Sequence, residues 1–269
     1  MNASRLITLS AMLAVWAQGA FAAEIDARPP DRLTVIANGS TLTDTDGGYG
    51  GSLNWLHYFT PDVIFGASAE QQIIADSQFA FGSLRGSWGH GQPSSRFNLY
   101  GEVQYGGGDE NGRDFNYGVG VLSISQAFSN KFSVQLESRQ IDIDTTHGNL
   151  PKLGVTYLLS NRVVSNIAYA NSVSGNVNTE LFTARVDVYG SLVNFIVGGA
   201  TGEADPVIVN QPGLELPTRD LREGFIGIGK TFAHSEIQLL ADYLELGESE
   251  KFTVTLSFTA LVGYRGQPR

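Results

Sequence analysis

The chain has no cysteine, so neither a disulfide-stapled scaffold nor a thiolate metal site explains its fold. Basic residues are scarce, 17 Lys and Arg against 27 Asp and Glu, for a formal net charge of −10. That excess of acid disfavours nucleic acid and anionic membrane surfaces as partners. Only four histidines occur, and neither HExxH nor GxSxG is present. The common motifs of zinc and serine hydrolases are therefore missing, and no metal or cofactor is expected. Beyond the N-terminal leader no apolar run reaches the roughly 20 residues of a membrane helix. No helical period of convincing length appears either.

The one long apolar run lies at the start. Arg5 precedes LITLSAMLAVW, and Ala20, Phe21 and Ala22 follow it. Basic, apolar and small-residue segments in that order predict a secretory signal peptide over 1–22, cleaved before Ala23. A membrane anchor needs a longer run. The remainder, 23–269, reads as a single β-domain.

What the chain does have is alternation. In KFTVTLSFTALVGY (251–264) the even positions Phe252, Val254, Leu256 and Phe258 are apolar, and the odd positions Thr253, Thr255, Ser257 and Thr259 are polar. A period of two is the signature of a strand with one apolar and one polar face. Similar segments fall at 32–40, 48–59, 62–72, 77–88, 95–106, 115–127, 131–143, 151–160, 162–172, 179–189, 192–201, 222–232 and 235–245. Most exceed the globular mean of roughly 5 to 6 residues and match the about 9 to 11 of a tilted membrane strand. The pattern blurs over 77–88, 115–127, 131–143 and 222–232, where bulges or misplaced segment boundaries are expected.

The connections point the same way. Short links such as Thr60-Pro61, Ser129-Asn130, Ser160-Asn161, Gly190-Ser191 and Ala233-His234 alternate with longer acidic ones: TLTDTDGG, GGDENGRD, DIDTTHGNLP and 202–220. Short turns at one end and long loops at the other characterise an outer-membrane barrel. Aromatic residues near segment ends, among them Trp55, Tyr58, Phe59, Trp88, Phe128, Tyr189, Phe232 and Tyr264, suit an interfacial belt. The expected fold is all-β: an antiparallel transmembrane β-barrel of about 12 to 14 strands. A soluble β-sandwich is the alternative, because alternation also describes a sheet with one wet face.

Charges on such strands belong inside, since a lipid-facing charge at mid-bilayer costs about 2 to 4 kcal/mol. Glu102, Glu137, Arg139, Arg185, Asp187 and Asp242 are therefore the candidate lumen-lining residues. An acid-rich lumen predicts a mild preference for cations. Asp44, Asp46, Asp109, Glu110, Asp142 and Asp144 fall in the acidic loops and are weak candidates for divalent cations, without the full twelve-residue calcium spacing. Gly106-Gly107-Gly108 lacks the GK[ST] ending of a phosphate loop.

The segments KLGVTYLLSNRVVSNIAYANS, ARVDVYGSLVNFIVGGATGEADP and FTVTLSF resemble the YaiO-like outer-membrane β-barrel family. The likeness covers 152–258 and implies an outer-membrane barrel, in some settings linked to surface polysaccharide. It transfers no catalytic or ligand residue.

The expected location is the Gram-negative outer membrane. The expected partners are membrane lipid, lipopolysaccharide and the barrel assembly machinery, with surface polysaccharide as a further one. Three functions are compatible: a passive channel or export port for a small hydrophilic solute or glycan, a closed structural barrel, or an outer-membrane enzyme. Lumen packing separates the first two. The loop segment PVIV (206–209) is a candidate inward plug.

Overall fold

A computed structural model describes residues 30–43, 45–74, 77–110, 113–143, 146–176, 178–204 and 219–262. The signal peptide, PVIV (206–209) and everything after Val262 lie outside them. The strands are β1 (Asp31–Leu42), β2 (Thr45–Thr60), β3 (Val63–Ile74), β4 (Ser77–His90), β5 (Phe97–Glu110), β6 (Arg113–Ser129), β7 (Phe132–Ile143), β8 (Thr146–Ser160), β9 (Val163–Asn171), β10 (Ser174–Gly175), β11 (Glu180–Tyr189), β12 (Asn194–Ala204), β13 (Arg219–Thr231), β14 (Ser235–Leu246) and β15 (Ser249–Val262).

Every strand except the two-residue β10 pairs antiparallel with a neighbour on each side. Sequential neighbours pair throughout apart from β10, which pairs with β8 while β9 pairs with β11, and β15 closes on β1 from Asp31↔Val262 to Leu42↔Lys251. The result is a closed barrel of 14 strands, which leaves no sheet edge to satisfy in lipid.

The strands are steeply staggered. Partner by partner, Leu42 at the loop end of β1 leads through Lys251, Leu244, Glu223 and Ala200. The ladder continues to Thr183, Ala168, Gly154 and Gln135, then through Ser125 and Asn98 to Gly89 at the turn end of β4. Closing the circle corresponds to a shear of roughly 14 residues, a tilt near ~36° and a Cα radius of ~12–13 Å.

The outer surface carries the apolar set. Leu53, Leu84, Val103, Leu122, Val197, Ile226 and Leu256 are all at least half exposed, as residues facing hydrocarbon are. Aromatics bracket them. Tyr49, Tyr105, Tyr169, Phe182, Tyr243 and Phe252 lie toward the loop end; Trp55, Phe59, Trp88, Phe128, Tyr189 and Phe232 lie toward the turn end. From Tyr49 to Phe59, at ~3.3 Å per residue and that tilt, is roughly 25 Å, the height of an outer-membrane apolar band. Around Trp55 the turn-end belt is continuous, with ring centroids 5.5 Å from His57 and 6.2 Å from Phe65.

Two expectations change. The blurred segments are not mainly bulged: register shifts fall at Ser40/Leu42, Tyr58/Thr60, Ala127/Ser129 and Leu158/Ser160, and only the third lies in a blurred strand. β4 alternates without interruption. Its pattern blurs because Phe79 and Phe81 face inward while Gly82 and Gly86 face out. Nor are most loops long. The strands continue past the aromatic belt, so β1–β2, β3–β4, β5–β6 and β7–β8 each close within two residues. Hydrogen-bonded hairpins absorb the acidic stretches because a ladder satisfies their backbone groups. Pro151 sits where this overhang begins: β8–β9 pairing runs only from Lys152↔Ala170 toward the turn end, so the missing N–H of proline falls just beyond the paired residues.

Candidate functional site

The inward face has three layers along the axis. At the turn end it carries many short polar groups. Thr34, Ser87, Asn98, Ser125, Thr156 and Ser257, with the apolar Ile36, Leu56, Ile64 and Leu240 among them, line a cavity of about 360 Å³ that reaches the rim at Pro61 and Asp62. Many of these groups satisfy one another across strands: Thr34 with Thr259 at 2.9 Å, Gln135 to Ser123 at 2.8 Å, Asn98 to Ser125 at 3.2 Å. Short side chains leave the centre of the barrel open. The layer is a vestibule.

The middle layer is a charged belt. All six predicted lumen residues face inward, and Glu137, Asp187 and Asp242 are buried. β7 and β8 bring Glu137 opposite Lys152, whose Nζ donates to Glu137 Oε2 at 3.1 Å. Arg139 approaches the other oxygen at 3.5 Å. Glu102 accepts hydrogen bonds from Tyr100 Oη and from Gln104 Nε2, the latter at 3.1 Å. On β11, Arg185 grips Asp187 with Nε at 2.9 and 3.0 Å and Nη2 at 2.6 Å. Asp242 is a hydrogen-bond neighbour of Glu223 and faces Lys251.

Sequence reading missed the acids Glu70 and Glu223 and the bases Arg85, Lys152 and Lys251. The three bases share the parity of polar neighbours: Ser83 and Ser87, Thr156, Thr253. With them, the acids Glu70, Glu102, Glu137, Asp187, Glu223 and Asp242 are nearly balanced by Arg85, Arg139, Lys152, Arg185 and Lys251. The belt itself therefore carries little net charge, and the acid excess of the chain lies mostly elsewhere.

Toward the loop end the inward face turns apolar. Phe79, Phe115, Tyr117, Ile141 and Leu150 form one buried cluster, and Leu181, Leu221, Leu244 and Leu246 form another. Leu42 packs against both, so the two make one apolar seal across the lumen. Its rings need space from the facing strand. Gly106 and Gly108 of β5 stand opposite Phe81 and Phe79. A Cβ at these glycines would fall 2.1 and 2.2 Å from the carbonyl oxygens of Ala80 and Gln78, and 2.8 and 3.1 Å from the Phe81 and Phe79 rings. The glycines thus let the β4 backbone approach closely and leave room beside the two rings.

The weak cation candidates do not assemble into a cluster among the described residues. Asp109 sits at the loop end of β5, and Asp142 pairs with His147 at 2.8 Å on an exposed hairpin. Asp46 and Glu110 lie in β2 and β5; Asp44 and Asp144 lie outside the described residues. His57 faces outward in the aromatic belt, its Nδ1 2.8 Å from Asp31, and His90 stacks on Trp88 at 5.8 Å.

This architecture recurs among solved structures. Over 97% of its length the chain matches 94% of the CymD monoaromatic hydrocarbon channel, at 10% identity and a TM-score of 0.61. The fold is that of an outer-membrane β-barrel. A Pseudomonas aeruginosa FadL homologue matches over 96% of this chain and all of its own, at 9% identity and a TM-score of 0.59. The Pseudomonas putida toluene transporter TodX matches over 97% and 96%, at 11% identity and 0.52. No family model and no curated sequence matches the chain.

Proposed function

We propose that the chain is a passive channel of the Gram-negative outer membrane for a small hydrophilic solute, with the turn end toward the periplasm. The observation that carries the reading is the vestibule, a cavity of about 360 Å³ that reaches the turn-end rim and sets hydroxyls, amides and arginines among apolar side chains such as Ile36, Leu56 and Leu240. The similar structures named for passage, a monoaromatic hydrocarbon channel and a toluene transporter, support passage rather than catalysis but not the hydrophilic nature of the solute. The apolar seal makes this a gated path: a hydrophilic solute passes only when the seal parts, because apolar constrictions close by dewetting.

The seal also favours a second reading, a closed structural barrel whose outer half is packed shut. Solute-driven swelling of liposomes carrying the refolded chain tests between them. Swelling in small sugars or hydroxy-acids supports the channel; rates equal to empty liposomes support the closed barrel. Kinship with YaiO-like barrels and contact with lipopolysaccharide or surface polysaccharide are further proposals. Co-purification of polysaccharide with the barrel from native membranes tests the last of these.

A further inference from the structure

The vestibule ends on an arginine with no ion-pair partner among the described residues. Arg85 lies on β4, nine per cent exposed, and lines the cavity together with Gly66, Tyr100 and Ser123. Its buried Nε has no hydrogen-bond partner among the described residues. Its register partner across the ladder is Glu102, whose two oxygens each accept one hydrogen bond, from Tyr100 and from Gln104; among the described residues no ion pair joins it to Arg85. The other belt cations use their acids: Arg139 and Lys152 share Glu137, and Arg185 holds Asp187. At the rim of the same cavity Arg96 is held by Asp62 at 2.7 Å, and Arg32 is also engaged. Glu236 lines the mouth.

A guanidinium nitrogen shut off from water without an acceptor, as Nε is here, is costly unless something supplies one. A Cβ on Gly66, its β3 neighbour, would fall 2.7 Å from both Arg85 Nε and Leu56 Cδ2, so a larger residue there would push these side chains aside.

We propose that Arg85 is an anion-binding residue at the floor of the vestibule, and that the solute is a small polyhydroxylated carboxylate. This deepens the channel reading and rests on it for the solute's route. The planar fork matches a carboxylate bidentately. The hydroxyl and amide wall offers alternating donors and acceptors to the solute's own hydroxyls. Tyr58 and Tyr100 add aromatic surface. A neutral sugar would use the wall but leave the guanidinium unmet; a bare inorganic anion would do the reverse.

The test is calorimetric titration of the refolded full-length barrel in detergent with D-gluconate, D-glucose and inorganic phosphate. Wild type is expected to bind gluconate about tenfold or more tighter than either other probe. Arg85→Gln should bring gluconate to the level of glucose, and Arg85→Lys should keep part of the preference. Arg96→Gln should change it less than threefold, a bound taken from the roughly 0–1 kcal/mol worth of an exposed pair. Gluconate binding no tighter than glucose in wild type, or unchanged in Arg85→Gln, overturns the assignment. Should Arg85→Gln not fold, phenylglyoxal labelling of wild type decides the matter: Arg85 must react, and gluconate must protect it. An unprotected Arg85 also overturns the assignment. Binding does not need transport. Gluconate held at Arg85 by a barrel that never conducts would refute passage and leave the site standing. Conduction without charge preference would do the opposite.

Discussion

Replacing Glu137 by glutamine strips one carboxylate from the belt and leaves two cations facing it. The Glu137 side chain retains 2% exposure, while those of Arg139 and Lys152 keep 16% and 23%. With contacts of 3.1 and 3.5 Å, each pair attracts by ~5 kcal/mol gross at an effective dielectric of ~20. Desolvation and repulsion between the two cations offset most of that. Breaking a buried pair from one side costs about 3 to 5 kcal/mol. The glutamine carbonyl still accepts one hydrogen bond, and both cations keep some water, so we expect a loss of about 2 to 4 kcal/mol. Urea unfolding of the barrel in lipid vesicles, followed by tryptophan fluorescence, measures it. Adding Lys152→Met should recover part of the loss, because residues within one ion-pair network are not additive. A loss below about 1 kcal/mol for Glu137→Gln, or no recovery in the double variant, would refute the reasoning.

Other expectations follow from the same layers. Leu256→Arg places a charge on the lipid face between Phe252 and Phe258 and should cost about 2 to 4 kcal/mol in the same unfolding assay. Ser257→Ala, one residue away but facing the vestibule, should cost under about 1 kcal/mol. Gly66→Ala should displace the Arg85 side chain and weaken gluconate binding severalfold while the barrel still shows its folded mobility on a gel. Glu102→Gln with Asp242→Asn should move the reversal potential in a salt gradient toward anions, because the belt is nearly balanced. An unchanged potential would mean that these residues do not line the conducting path.

Much of the fold could be read from the chain because lipid imposes a strict alternation. β5 and β11 show it plainly: Leu99, Val103 and Phe182 face out, while Glu102, Gln104 and Arg185 face in. The segment read at 179–189 is observed at Glu180–Tyr189. Reading failed where the inward face is itself apolar. In β4, β6, β7 and β13, Phe79, Phe115, Ile141 and Leu221 occupy lumen positions, so period two no longer separates the faces. The seal was invisible for the same reason. It becomes legible only once register sets Gly106 and Gly108 opposite phenylalanines. The belt was half legible: single charges of the right parity stood out, but the pairing of Glu137 with Lys152 and the isolation of Arg85 depend on which strands are neighbours and at what stagger.

The central claim is a polar vestibule closed toward the loop end by an apolar seal, and single-channel recording in planar bilayers tests it most directly. Wild type should show rare, small openings. Phe79→Ala with Phe115→Ala removes two facing rings whose centroids lie 5.3 Å apart and should give long-lived openings of several times the conductance. The packing loss, about 3 to 5 kcal/mol for each ring by the general large-to-small range, should be confined to the loop end. Silence from both proteins, each shown to be folded, would contradict the account and leave a closed barrel in its place.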